Sequence, residues 1–143
     1  KPSVKIYDSA GMADRQISGE TAITHVANGE ALRARLAKPT LKFVFAKEGG
    51  VAWVDSMVVP SSASRPDLAL KFINFMLDPA NAAIEQKEIG YPTGVSAATA
   101  LLPPDLAKAP EINPPADYKT YVNPTCSAET LKKYDLIWTK LRQ

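Results

Sequence analysis

The stretch from residue 40 to residue 60 constrains this fold more than any other part of the chain. Leu41, Phe43 and Phe45 alternate with Lys42, Val44 and Ala46. This period of two puts every second side chain of an extended segment on one face and predicts a strand with at least one buried side. Lys47, Glu48, Gly49 and Gly50 break the run, as paired glycines in a turn do. A second apolar run over residues 51–59 follows and stops at Pro60, which cannot donate to a ladder. Inside it, Asp55 lies two residues after Trp53, so in a strand both side chains share a face. A carboxylate on an apolar strand is costly to bury without a partner, and an indole beside it offers its ring to a cation. The plainer reading makes Trp53 a core residue and Asp55 the cap of the next turn. Spacing alone does not separate the two.

Around this stretch the pattern alternates strand and helix. Residues 4–7 read as a short strand after Pro2, and residues 13–17 as a short helix ended at Gly19. Residues 21–26 read as a buried strand. Asn28 and Gly29 turn into a helix over residues 30–37 that Pro39 closes. The helix beginning at Asp67 carries Leu68, Phe72, Phe75 and Met76 on one face, backed by Leu70, Ile73 and Leu77. Pro79 either stops it or opens a second helix over residues 80–88. Gly90, Tyr91, Pro92 and Thr93 form a rigid turn. Prolines crowd residues 94–125, predicting turns and short helices that wrap a surface and build no sheet. Ser127 is the expected N-cap of a terminal helix over residues 128–141 that buries Leu131, Tyr134, Ile137, Trp138 and Leu141. This order predicts an α/β fold with partly parallel pairing.

The chemistry excluded is as informative. At 143 residues, 45% apolar and 22% charged, the chain is one globular domain with room for a core. A net charge of +2 from 17 scattered basic residues does not point to nucleic acid. No apolar run approaches the ~20 residues that span a bilayer. No charged start followed by an apolar stretch marks a signal peptide, and a start at Lys1 without methionine implies processing or trimming. One cysteine, Cys126, excludes an intrachain disulfide. One histidine, His25, in an apolar context, reads as a packed or rim residue, and with a single cysteine there is no zinc spacing. Cys126 has no basic or acidic neighbour in sequence to activate it. Gly49 and Gly50 lack the helix and spacing of a phosphate loop. Asp78, Glu85 and Glu88 read as solvated helix charges. No enzyme, cofactor or metal is expected.

Several blocks together resemble the bacterial extracellular solute-binding proteins of the spermidine/putrescine type. They are Phe43 to Phe45 with Lys47-Glu48-Gly49-Gly50, Trp53-Val54-Asp55-Ser56, and the run from Ala69 through Asp78 and Pro79. Ile89-Gly90-Tyr91-Pro92-Thr93, Leu101-Leu102-Pro103-Pro104, and Tyr134 with Trp138-Thr139-Lys140-Leu141 complete the series in family order. The resemblance implies ligand binding: Trp53 matches a stacking tryptophan, Asp55 an amine-binding aspartate and Tyr91 the tyrosine of the Tyr-Pro-Thr turn. Their plainer roles are core, cap and turn packing. Two departures are visible. The family often has a tryptophan where this chain has Ala27, and a glutamine in the late segment that here reads Tyr121, Val122, Asn123.

Family members are expected at about twice this length, so the resemblance implies part of a type II periplasmic-binding fold, a mixed sheet with flanking helices and its first half missing. Residues 1–50 would be second-lobe strands and helices, 51–60 a crossover strand, 61–93 helices toward the first lobe, and 94–143 a proline-rich wrap with the C-terminal helix. The implied function is capture of a polyamine or another small cationic solute in the periplasm for the membrane subunits of an ABC-type importer. The alternative is a truncated, non-binding remnant that serves as a structural or self-associating module. Either way the helix from Asp67 is apolar on too much of its circumference for a solitary monomer, so self-association or a non-covalently retained first half is expected.

Overall fold

The computed structural model describes residues 4–141; Pro2, which precedes the first expected strand, lies outside them. Six α-helices are described: α1 (Met12–Ser18), α2 (Asn28–Ala37), α3 (Pro66–Met76), α4 (Pro79–Ile89), α5 (Pro104–Ala107) and α6 (Ala128–Leu141). Short 3₁₀ turns cover Ser96–Leu101 and Pro110–Ile112. Among the described residues, one sheet holds two parallel strands, β1 (Gly50–Ala52) and β2 (Thr120–Val122), with Val51 opposite Tyr121.

Local chemistry explains the helix ends. Pro79 does open a second helix, because its missing N–H is one the first turn leaves unpaired anyway. The Asp78 carboxylate caps that turn, accepting from the Ala80 amide at 2.9 Å and the Asn81 amide at 3.4 Å. Asp78 is exposed, as expected of a solvated charge, and it also caps the helix. Ser127 Oγ accepts from the Thr130 amide at 3.2 Å and caps α6 as expected. The α2 helix runs to Ala37, with the Lys38 amide still bonded to the Ala34 carbonyl at 2.8 Å, and stops before Pro39.

The core forms where α2, α4 and the proline-rich segment meet. Leu32 of α2 packs with Ala82 and Ala83 of α4 and with Ala98, Leu102, Leu106 and Ala109. Alanines at these contacts let the backbones approach closely, and Leu32 is only 2% exposed. Glu111 is buried beside them. Its carboxylate takes the Arg35 guanidinium at 2.5 and 2.9 Å, and its carbonyl accepts from the Asn28 amide group at 3.3 Å. That ion pair, chiefly its hydrogen bonds, holds the Arg35 pKa above the ordinary value. The segment over residues 94–125 thus supplies Ala98, Leu102, Leu106 and Ala109 of that cluster and one of the two described strands. The expected turns and short helices form, but the expectation of a surface wrap without a sheet is corrected: residues 120–122 find a partner in β1, and Leu102 and Leu106 pack into the core.

Most expected strands do not form ladders. Residues 41–46 keep the alternation, with Leu41, Phe43 and Phe45 half-buried and Lys42, Val44 and Ala46 exposed. Phe45 packs on Phe43 and Tyr118 with ring centroids 4.9 and 4.7 Å apart, yet no strand lies alongside. Residues 4–7 and 53–59 are likewise outside any strand. Residues 21–26 are an exposed loop: the Gln16 amide holds the Thr21 carbonyl and the Thr21 and Thr24 hydroxyls, and Ile23 stands outward. The physical reason is common to all four. Period two makes a segment extended, but a strand also needs a neighbour to take its N–H and C=O groups.

The α6 helix lacks the burial expected of it, whereas the excess apolar face of α3 stands uncovered, as expected. No residue of α3 or α6 is buried. Phe72 and Phe75 are 58% and 59% exposed, and Leu131, Tyr134, Ile137, Trp138 and Leu141 all remain at least 40% exposed. Amphipathic pattern forms the helix; burial requires a surface to receive it.

Candidate functional site

Three element ends converge beside the core. Trp53 leaves the end of β1, Tyr91 follows Gly90 at the C-terminus of α4, and Gly29 lies in the first turn of α2. Gly90 closes α4 with φ 77°, a left-handed conformation that favours glycine. The Tyr91 ring then lies close against the α2 backbone: a Cβ at Gly29 would sit 2.4 Å from its Cε2 atom. No side chain other than hydrogen fits there. On its other side Tyr91 meets Trp53 edge-on, with centroids 6.2 Å apart and planes at 65°, the geometry aromatic quadrupoles favour.

Charge surrounds this pair. Burial raises the Tyr91 phenol above its ordinary pKa, and the carboxylates of Glu30 and Asp55 raise it further. The Glu30 backbone N–H and the Arg33 guanidinium pull the other way. Glu30 and Arg33 also pair with each other at 2.7 Å across the α2 surface.

The structure thus brings the three sequence-derived site residues into one neighbourhood, with Trp53 about half exposed and Asp55 exposed. Asp55 is exposed and not buried on an apolar strand, because residues 53–59 run free of the sheet. Sequence reasoning missed Gly29, Glu30 and Arg33. The available signal was a glycine inside a helical turn, where it costs helix stability unless something must approach closely. Ala27 occupies the N-cap position of α2 without a side-chain cap. Tyr121 donates its hydroxyl to the Glu48 carbonyl at 3.2 Å, tying β2 to the turn before β1.

Elsewhere the chemistry is sparse. His25 is exposed, and the half-buried Cys126 thiol faces the Pro124 carbonyl at 3.7 Å. Among the described residues no group of three or more His, Cys, Asp or Glu side chains is placed to hold a metal. No described helix is long and apolar enough to cross a membrane. An open groove of about 220 Å³ between residues 57–59 and α3 is lined by Met57, Val58, Val59, Ala69, Phe72 and Ile73. Its lining side chains are all apolar and none carries a charge for a cation.

Comparison with known proteins adds the family. A model described as bacterial extracellular solute-binding protein matches residues 1–114. The spermidine/putrescine-binding periplasmic protein of Salmonella typhimurium is 40% identical over 115 residues, 80% of this chain and 33% of its own length. The Escherichia coli protein of the same description is 38% identical over 116 residues, 81% of this chain and 33% of its own. A putrescine-binding periplasmic protein of Pseudomonas aeruginosa is 26% identical over 150 aligned positions, 99% of this chain and 41% of its own. The chain spans about a third of the length of the first two relatives, less than the half expected from the resemblance.

Proposed function

The chain belongs to the bacterial extracellular solute-binding proteins, and from that membership we propose that it binds a small cationic solute of the polyamine class in the periplasm, for uptake by an ABC-type importer. The observation that carries this reading is the Trp53–Tyr91 aromatic pair at 6.2 Å, with the Asp55 carboxylate acting on the same phenol. An aromatic wall takes the methylenes of an alkylamine, and a carboxylate takes its ammonium by a charge-assisted hydrogen bond. The relatives' names, spermidine/putrescine-binding and putrescine-binding, indicate which cations to try first. Solute-binding proteins of this family are transport proteins and not enzymes, so no catalytic step is assigned.

Calorimetric titration with putrescine and spermidine tests the proposal. Asp55→Asn should weaken binding about tenfold, the order expected for one charge-assisted contact. Glu88→Gln, an exposed charge on α4, should leave affinity unchanged. Equal affinities in the two variants would remove Asp55 from the site, and no heat with either amine would remove the function. The alternative, a non-binding assembly module, rests on the bare faces of α3 and α6 and leaves the Trp53–Tyr91 pair without a role.

A further inference from the structure

Two apolar faces match in length and character, and the chain itself covers neither. One is the groove of about 220 Å³ between residues 57–59 and α3. Large side chains line it except at Ala69, where a facing side chain finds most room. The other is the stripe of Leu131, Tyr134, Trp138 and Leu141 on α6, all exposed. Their spacings of three, four and three residues are those by which an amphipathic helix anchors in an apolar groove. By the same periodicity Lys132, Lys133 and Lys140 fall on the opposite side of α6, where Lys133 pairs with Glu129 at 2.7 Å. The stripe from Leu131 to Leu141 and α3 from Pro66 to Met76 cover the same number of residues, so each is about 15 Å long at the helical rise. Phe72, Phe75, Tyr134 and Trp138 are each about half exposed. Covering these four rings buries about 400 Å² per copy, half of the ~800 Å² that each partner of a standard interface gives up. Met57, Leu68, Leu131 and Ile137, also about half exposed, add to it.

We propose that the chain forms a two-fold dimer in which the α6 stripe of each copy seats in the α3 groove of the other. Among the described residues, none of α6 lines the groove of its own chain, and neither α3 nor α6 buries a residue. Each copy therefore offers one ridge and one groove, and a two-fold exchange covers both at once. Pairing of like faces, stripe on stripe or groove on groove, leaves the other face in water. The interface uses none of Trp53, Asp55 and Tyr91, so it does not depend on the amine-binding reading.

Sedimentation equilibrium on the 143-residue protein tests the assignment, and a monomer–dimer equilibrium is the expected result. Val58→Glu in the groove and Trp138→Glu on the stripe should each weaken dimerisation at least tenfold, because each buries an unpaired charge in both contacts. Lys132→Glu, on the opposite side of α6, should change it by less than twofold. Loss in only one of the first two variants would mean that like faces pair, and loss in neither would place the interface elsewhere. Either result overturns the assignment, as does a monomer at every concentration or growth beyond the dimer. Met57→Gln and Leu131→Gln, smaller changes on the same two faces, repeat the comparison without adding charge. Helix content by circular dichroism, expected unchanged for these exposed residues, excludes misfolding as the cause.

Discussion

Gly29 sets how closely the Tyr91 ring can approach α2. Adding one methyl there drives a carbon to 2.4 Å from the Tyr91 ring, far inside contact distance, so the ring or the α2 backbone must move. Gly29→Ala should swing Tyr91 away from Trp53, changing Trp53 fluorescence in a Trp138→Phe background and weakening putrescine at least tenfold. An unchanged spectrum and affinity would show that the ring is not held there. Tyr91 also makes a pH prediction. Burial, then Glu30 and Asp55, raise its folded pKa, so the fold resists forming the phenolate. Its contribution is intact below the unfolded value near 10 and is lost as pH rises through the folded one. Urea unfolding from pH 9 to 11.5 should show stability falling with pH, with part of the slope removed in Tyr91→Phe. A slope identical in that variant would refute the shift.

Among the elements, α2 connects core and site. Leu32 anchors it in the core, and Glu111 clamps its two ends through Arg35 and Asn28. The Glu111 side chain is fully buried, while that of Arg35 retains 28% exposure. Removing Arg35 therefore strands a buried carboxylate, whereas Glu111→Gln keeps a hydrogen-bonding group and lets the guanidinium return to water. Urea midpoints should show Arg35→Ala destabilised by about 3 kcal/mol or more and Glu111→Gln by clearly less. The reverse order would mean that the pair is not the clamp. Leu32→Ala should cost about 2–5 kcal/mol and loosen the site with the core.

The whole molecule exposes 11186 Å², whereas a compact monomer of 15.4 kDa exposes about 7,200 Å² by the usual size scaling. The excess is several times the ~800 Å² that each partner buries in a standard interface. Much of the apolar part lies on α3, on α6 and along the groove at residues 57–59. In a solution of the pure protein, the only apolar surface able to cover these faces belongs to another copy. Light scattering should therefore find self-association that grows with concentration, and Phe72→Asp with Phe75→Asp should reduce it. A compact monomer with a cooperative melt would overturn this expectation.

Period 3.6 in residues 66–76 and 128–141, the Asp78–Pro79 start of α4 and the stop before Pro39 are local, and the sequence alone determines the helices they specify. It also determines that Trp53 and Asp55 lie two residues apart and that few groups on the chain can do covalent chemistry. The ordered blocks were enough to identify the family. Tertiary structure alone decided which extended runs pair. Among the described residues only Gly50–Ala52 and Thr120–Val122 meet, since a ladder depends on a neighbour and not on alternation. It also decided that Tyr91, 36 positions after Asp55 in the numbering, comes to rest between Trp53 and α2. That meeting depends on the backbone approach of Gly90 to Gly29, a contact between residues 61 positions apart that no local periodicity encodes.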